Sequence, residues 1–204
     1  MAFGTHWEWR GFGKLPGALD TILRSLPRLF PDSQRVIDRY LWAAGCDINF
    51  KLRLGDFKIK RCLATAEGGI ARWSEDPAEN YSFPIAAGVF NELAGALGVG
   101  AEAAADSVAT EEELLERLGA GGPGLGVIEV EKERWQYRAP LLEDGIIELA
   151  EISSPEEIVS VSVEHESEEG VRKIMAALGL PAGLKSLSYL EALETWGQGG
   201  SFTG

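Results

Sequence analysis

Polar and apolar residues alternate in seven stretches of this chain, and in most of them the two parities differ in chemistry as well as polarity. The stretches are "HWEWRGF", "VIDRYLWA", "INFKLRL", "FKIKRCLA", "GVIEVEKERWQY", "GIIELAEI" and "IVSVSVEHES". A period of two is that of a strand with one face covered. In the first, Trp7 and Trp9 share one parity, while His6, Glu8 and Arg10 share the other. In "INFKLRL" Ile48, Phe50, Leu52 and Leu54 oppose Asn49, Lys51 and Arg53, and in "FKIKRC" Phe57 and Ile59 oppose Lys58 and Lys60. Lys132 and Arg134 share a parity in the fifth stretch, against Glu129, Glu131 and Glu133. Glu148 stands between Ile147 and Leu149. In the last stretch Ser160, Ser162, Glu164 and Glu166 alternate with Val159, Val161, Val163 and His165. The third and fourth stretches meet at "GD", which predicts a tight hairpin.

Helical spacing marks the intervening segments. "PGALDTILRSLPRLF" is kinked or ended by Pro27, and "FPIAAGVFNELAGALG" stops at Gly98. "TEEELLERLG" opens on Thr110 with Glu113 three residues on, the pattern of a capping box. "SEEGVRKIMAALGL" and "SLSYLEALETW" carry serine caps and apolar faces. The expected organisation is a single domain over residues 1–196, with an Ala- and Gly-rich helical insertion at about 63–125 and a loose tail at 197–204. "GAGGPG" at 119–124 matches a dinucleotide-binding pattern only in its letters. It follows a helix and leads into a strand, whereas that loop follows a strand and opens a helix.

Composition narrows the function classes. Hydrophobic residues make up 45% and charged residues 25% of the 204, the balance of a folded globular chain. No run of about 18 apolar residues and no signal-like start is present, so neither a membrane span nor export is expected, and cytoplasmic placement is the expectation. Cys46 and Cys62 match neither a disulfide framework nor a zinc motif. The net charge of -13 opposes non-specific binding to DNA, RNA or anionic membrane. Any anion site must therefore be a local concentration of cations within an acidic molecule.

The charged parities support two readings. An antiparallel sheet often has one solvated face, on which charges carry no message. Such faces usually mix signs, however, because like charges on neighbouring strands repel. Lys51, Arg53, Lys58 and Lys60 lie on two arms of one hairpin. Two like charges about 6 Å apart cost roughly 3 kcal/mol at an effective dielectric of about 20. A cluster kept at that cost suits a polyanion. The helices carry enough apolar surface to cover the outside of a sheet curled around its charged face.

Taken in order, these motifs resemble those of the CYTH superfamily, the triphosphate tunnel fold. "HWEWR" is similar in position and spacing to that family's opening Glu-x-Glu-x-Lys, with His6 and Arg10 as departures. "KLRLGDFKIK" resembles its basic hairpin, "EKERWQY" its later Lys-x-Arg strand, Glu148 in "IIELAEI" its subsequent acid, and "SVEHESEEGVRKIMAALGL" its Glu-x-Glu strand and helix, followed by a terminal "SY" helix. The resemblance implies an α+β fold: an antiparallel eight-stranded tunnel-like β-barrel with a polar interior and helices packed outside. It implies phosphate binding by Arg10, Lys51, Arg53, Lys58, Lys60, Lys132 and Arg134. Glu8, Glu148, Glu164 and Glu166 would ligate Mg²⁺ or Mn²⁺, with Glu8, Glu164 and Glu166 as the catalytic set.

The activity so implied is divalent-metal-dependent hydrolysis of a triphosphate-containing small molecule or of inorganic triphosphate or polyphosphate. A non-catalytic phosphate-ligand or polyphosphate binder and an adenylate cyclase-type member are the alternatives, although no set of residues reads as an adenine pocket. His6 departs most, because imidazole is a poorer partner for Mg²⁺ than a carboxylate. Arg10 offers a bidentate fork in place of a point donor.

Overall fold

The computed structural model describes residues 4–74, 80–121 and 124–202. Its strands are β1 (Thr5–Gly13), β2 (Gln34–Trp42), β3 (Ile48–Arg53), β4 (Asp56–Ala66), β5 (Ile70–Ser74), β6 (Asn80–Ser82), β7 (Gly126–Arg138), β8 (Ile146–Ser154), β9 (Ile158–His165) and β10 (Lys185–Ser186). The helices are α1 (Gly17–Ser25), α2 (Ala87–Leu97), α3 (Glu111–Leu118), α4 (Glu168–Leu178) and α5 (Tyr189–Gly197). None of the helices is long and apolar enough to cross a membrane.

Eight of these strands pair antiparallel in the order β1-β5-β4-β3-β2-β7-β8-β9, and β9 pairs back onto β1. The result is a closed eight-stranded antiparallel β-barrel with five helices outside its wall. Closure gives each strand two hydrogen-bonded neighbours and removes the exposed edges of an open sheet. The eighth strand, β5, was not visible in the sequence pattern. It is five residues long and lies inside the stretch read as helical insertion, behind Gly68 and Gly69, both at positive φ. Residues 63–66 likewise belong to β4, so the insertion begins after β5 and carries β6, α2 and α3. Parts of that insertion and of "GAGGPG", namely 75–79 and 122–123, lie outside the described residues.

Two apolar jackets cover the barrel's outside. Trp9, Ile147, Leu149, Val161 and Val163 pack against Leu19 and Leu23 of α1 and Val171, Ile174 and Leu178 of α4. Phe50, Leu52, Phe57 and Ile59 pack against Phe90, Leu93 and Leu97 of α2 and Leu114 and Leu118 of α3. The starts of α3, α4 and α5 follow the threonine and serine signals at Thr110, Ser167 and Ser188. Ser188 and Glu191 form a full capping box on α5. On α3 the Thr110 hydroxyl accepts from the Glu113 amide, but the Glu113 carboxylate takes the amide of Ala109, one residue earlier than a box requires.

A third cluster lies on the inside parity. Phe12, Tyr40, Val130, Ile152 and Ile158 meet Tyr189, Ala192 and Leu193, so α5 covers one end of the barrel with an apolar plug. The interior is therefore polar along only part of its length. The expected loose tail joins this plug as far as residue 202: the Phe202 ring stacks on Phe12 at 5.6 Å, and its amide donates to Glu156. Residues 203–204 lie outside the described residues.

The β3–β4 hairpin turns on Leu54 and Gly55, both at positive φ, rather than on the "GD" pair. A two-residue loop needs that backbone to match the strand twist, and Gly55 adopts it without steric cost. The register that follows sets Lys51 against Lys58 and Asn49 against Lys60.

Candidate functional site

Inward parity brings charged residues from six strands around one cavity of about 250 Å³. Its wall carries Arg10 and Glu8 from β1, Lys51 and Arg53 from β3, Lys58 and Lys60 from β4, Lys132 and Arg134 from β7, Glu148 from β8 and Glu164 from β9. All seven cations read from the sequence as phosphate ligands are thus together. Glu8, Glu148 and Glu164 of the expected carboxylates join them; Glu166 does not. It falls one residue beyond β9, in the exposed turn before α4, where strand alternation has ended and no longer directs a side chain inward. The outward parity of β7 is equally clear. Glu129 and Glu133 face solvent, paired with Arg39 and Arg35. The excess negative charge of the chain is thereby compatible with a basic interior.

Asp38 is the carboxylate that sequence reasoning missed. Fully buried, it accepts from Arg53 Nη2 at 2.7 Å and lies 3.3 Å from Lys132 Nζ. Burial raises its pKa, but Arg53, Lys132 and Lys51 outweigh that and hold the carboxyl well below the usual range. Its signal was present: Asp38 stands between Val36 and Tyr40 on one parity of "VIDRYLW". Tyr40, Asn49, Trp73, Gln136 and Tyr189 complete the wall.

Glu148 is committed to guanidinium groups. It accepts from Arg134 Nη1 at 2.9 Å and lies 3.6 Å from Arg10 Nη1. Burial alone would raise its pKa; Lys132, Arg10 and Arg134 bring it down to about 2. Arg10 is further held by Glu8, to which its Nε donates at 2.7 Å, and by the Ser160 hydroxyl at 2.9 Å. Its guanidinium carbon lies 5.2 Å from the centre of the Tyr189 ring, and Lys132 Nζ 5.0 Å from it, so both cations rest on an aromatic floor.

Among the described residues, one donor atom each from His6, Glu8 and Glu164 lie within 4.8 Å of one another. Glu8 and Glu164 are cross-strand partners, and His6 Nε2 is 3.6 Å from Glu8 Oε2. Burial lifts the Glu164 pKa, and the negative Glu8 lifts it further. Glu8 itself is lowered, since Arg10 and His6 outweigh its own burial. A buried imidazole and carboxylate with a second, half-buried carboxylate at this spacing fit a divalent cation.

Seven cations against Glu8, Asp38, Glu148 and Glu164 leave a formal surplus of three positive charges around the cavity. A larger, more open groove of about 1040 Å³ lies beside α1 and shares Lys132, Ile152 and Ile158 with the barrel interior. Its cations Lys14, Arg24, Arg35 and Lys132 stand among five carboxylates, Asp20, Glu131, Glu133, Glu151 and Glu157, and Arg24 and Arg35 are ion-paired with Asp20, Glu151 and Glu133. It holds no comparable surplus.

Comparison with known proteins follows this geometry. No family model and no curated protein matches the chain. Solved structures do. An adenylyl cyclase candidate from Hippeastrum with a dominant triphosphatase activity superposes with a TM-score of 0.53 at 13% identity, over 97% of this chain and 97% of its own. A conserved hypothetical protein from Pyrococcus furiosus superposes with a TM-score of 0.51 at 16% identity, over 90% of this chain and 98% of its own. At such identities the likeness is one of fold.

Proposed function

We propose that this protein is a divergent CYTH-type phosphohydrolase that takes a short linear triphosphate, free or at the end of a small molecule, into the basic half of the barrel. The observation that carries this reading is the convergence of seven cations from four strands on one partly enclosed polar cavity of about 250 Å³. That volume is below the roughly 300–1,000 Å³ typical of drug-sized pockets. It suits a compact, highly charged anion better than a whole nucleotide, whose base and sugar would remain at the mouth. The α5 plug also favours a short chain over long polyphosphate, which would have to thread through Tyr40 and Tyr189. The triphosphatase activity of the Hippeastrum protein with the same fold supports the reaction class.

Phosphoryl transfer to water asks for positioning and charge neutralisation more than covalent chemistry. Arg10 and Arg134, oriented by Glu8 and Glu148, present guanidinium forks to phosphate oxygens, while Lys51, Lys58 and Lys60 meet the chain from the opposite wall. Asp38 holds Arg53 and Lys132 in place. His6, Glu8 and Glu164 would hold the divalent cation, Mg²⁺ or Mn²⁺ in the family pattern. Such an ion supplies Lewis-acid stabilisation of the phosphoryl oxygens. Burial of the site keeps these electrostatic contacts from being screened.

A second reading, binding without turnover, is favoured by one specific fact. The two arginines nearest the carboxylates are already ion-paired within the chain. The deciding experiment incubates the protein with tripolyphosphate, ATP and thiamine triphosphate, with Mn²⁺ or Mg²⁺, and follows phosphate release and thermal shift. Turnover abolished by Lys58→Ala and by Glu164→Ala supports the hydrolase. A thermal shift without turnover supports the binder, and neither response removes both.

A further inference from the structure

His6 is not among the residues that line the cavity, yet it is buried inside the barrel beside two carboxylates. It stands two residues before Glu8 on β1, so the strand period sends both side chains inward. Across the β1–β5 ladder its partner is Trp73, only 5% exposed. Across the β1–β9 ladder Glu8 faces Glu164 directly. Arg10 occupies Oε1 of Glu8, which leaves Oε2 turned toward His6 Nε2. Like charges set opposite each other on neighbouring strands repel, and here burial takes away much of the solvent that would screen them.

We infer that His6 is a nitrogen ligand of the cation site, and that the site takes a borderline transition metal in preference to Mg²⁺. The inference rests on the reading of this cavity as a divalent-cation site, and it assigns the class of ion. Mg²⁺ keeps an oxygen shell and several waters. Imidazole suits Zn²⁺, Ni²⁺ and Co²⁺, and binding strength of a mixed nitrogen–oxygen site rises from Mn²⁺ through Co²⁺ and Ni²⁺. Glu148, which the family pattern would offer as a further oxygen ligand, is held by Arg134 and Arg10 instead. The remaining donor set of one nitrogen and two carboxylates is therefore poorer in oxygen than a magnesium site requires.

The test uses the full chain, stripped with a chelator and titrated with CoCl₂, ZnCl₂, MnCl₂ and MgCl₂, with no phosphate compound present. Calorimetry gives the ranking. Imidazole NMR locates the ion, since the chain has two histidines. His165 serves as internal control, because its Nδ1 accepts from the Ser167 amide in a turn outside the site. The expected result is Co²⁺ and Zn²⁺ bound at least tenfold more tightly than Mg²⁺, with diamagnetic Zn²⁺ shifting the His6 signals far more than those of His165. His6→Glu should narrow the Co²⁺/Mg²⁺ ratio at least tenfold, and His6→Gln should weaken Co²⁺ without strengthening Mg²⁺. Equal affinity for Mg²⁺ and Co²⁺ in the wild-type protein, or His6 signals that do not respond, would overturn the assignment even if neither variant folds. Failure of the phosphohydrolase reading looks different: the metal ranking holds, but tripolyphosphate is neither bound nor cleaved.

Discussion

Lys51 and Lys58 stand directly opposite one another across the β3–β4 ladder, both on the face that lines the cavity. Burial is the largest influence on Lys51 and lowers its pKa well below the ordinary lysine value. Asp38 opposes this, while Arg53, Lys132 and Lys60 add to it. An anion entering the cavity would supply the missing counter-charge, turning repulsion in the free protein into attraction for the proposed ligand.

Lys51→Met should therefore stabilise the free protein and weaken the bound state. Exchange of a buried, poorly compensated cation for an apolar side chain of similar length is worth about 1–3 kcal/mol in the free protein. Tripolyphosphate affinity should fall at least tenfold. The pH dependence has a definite sign. Because the folded-state pKa of Lys51 is depressed, the unfolded chain binds more protons between that value and the ordinary lysine value, and stability rises with pH across that window. Urea titrations across alkaline pH should show this rise in the wild type and lose it in Lys51→Met. Calorimetry in two buffers of different ionisation enthalpy should show proton uptake on tripolyphosphate binding, again absent from the variant.

Glu148 controls the acid side. Its carboxyl, brought from an ordinary 4.5 to about 2, adds stability that is fully present above 4.5 and lost as pH falls toward 2. The shift corresponds to about 3 kcal/mol. Glu148→Gln should lower stability at neutral pH by that order, because Arg10 and Arg134 lose their shared partner. It should also flatten the decline in the urea midpoint between pH 4.5 and 2.

The aromatic floor separates ring from hydroxyl. The Tyr189 hydroxyl lies 3.4 Å from Lys132 Nζ, while the ring supports Arg10 and Lys132 and stacks on Tyr40 at 4.9 Å. Tyr189→Phe should leave tripolyphosphate affinity within about threefold. Tyr189→Ala should reduce the thermal midpoint, with a loss of about 3–5 kcal/mol as for other large aromatics truncated in a core. In the wild type, long polyphosphate blocked at both ends should fail to compete with tripolyphosphate, since the plug prevents threading.

Glu164 and Glu166 provide an internal comparison two residues apart. Glu166→Gln, in the exposed turn, should leave metal and tripolyphosphate binding within twofold. Glu164→Gln should lower metal affinity at least tenfold, measured by calorimetry with the ion alone.

How far the pattern of residues reached can be judged at particular positions. Lys51, Arg53, Lys58, Lys60, Lys132 and Arg134 were legible because alternation is a local property of the extended backbone, and the helical jackets follow from the same rule applied to Phe50, Ile59, Val161 and Val163. Glu166 was placed inside because alternation was carried one residue past the end of β9. β5 escaped because five residues behind two glycines give too short a run to show a period.

The sequence by itself therefore determined which side chains share a face, since that depends only on neighbours along the chain. Only the tertiary structure decided which faces meet: Glu8 against Glu164, Lys51 against Lys58, Asp38 beneath Arg53 and Lys132, and Tyr189 beneath Arg10 and Lys132. Those pairings depend on register and closure between strands up to the full length of the chain apart. His6 shows the difference most clearly, for its parity and its nearness to Glu8 were plain from two residues of context, while Glu164, the third member of the cluster, lies on the far side of the sequence.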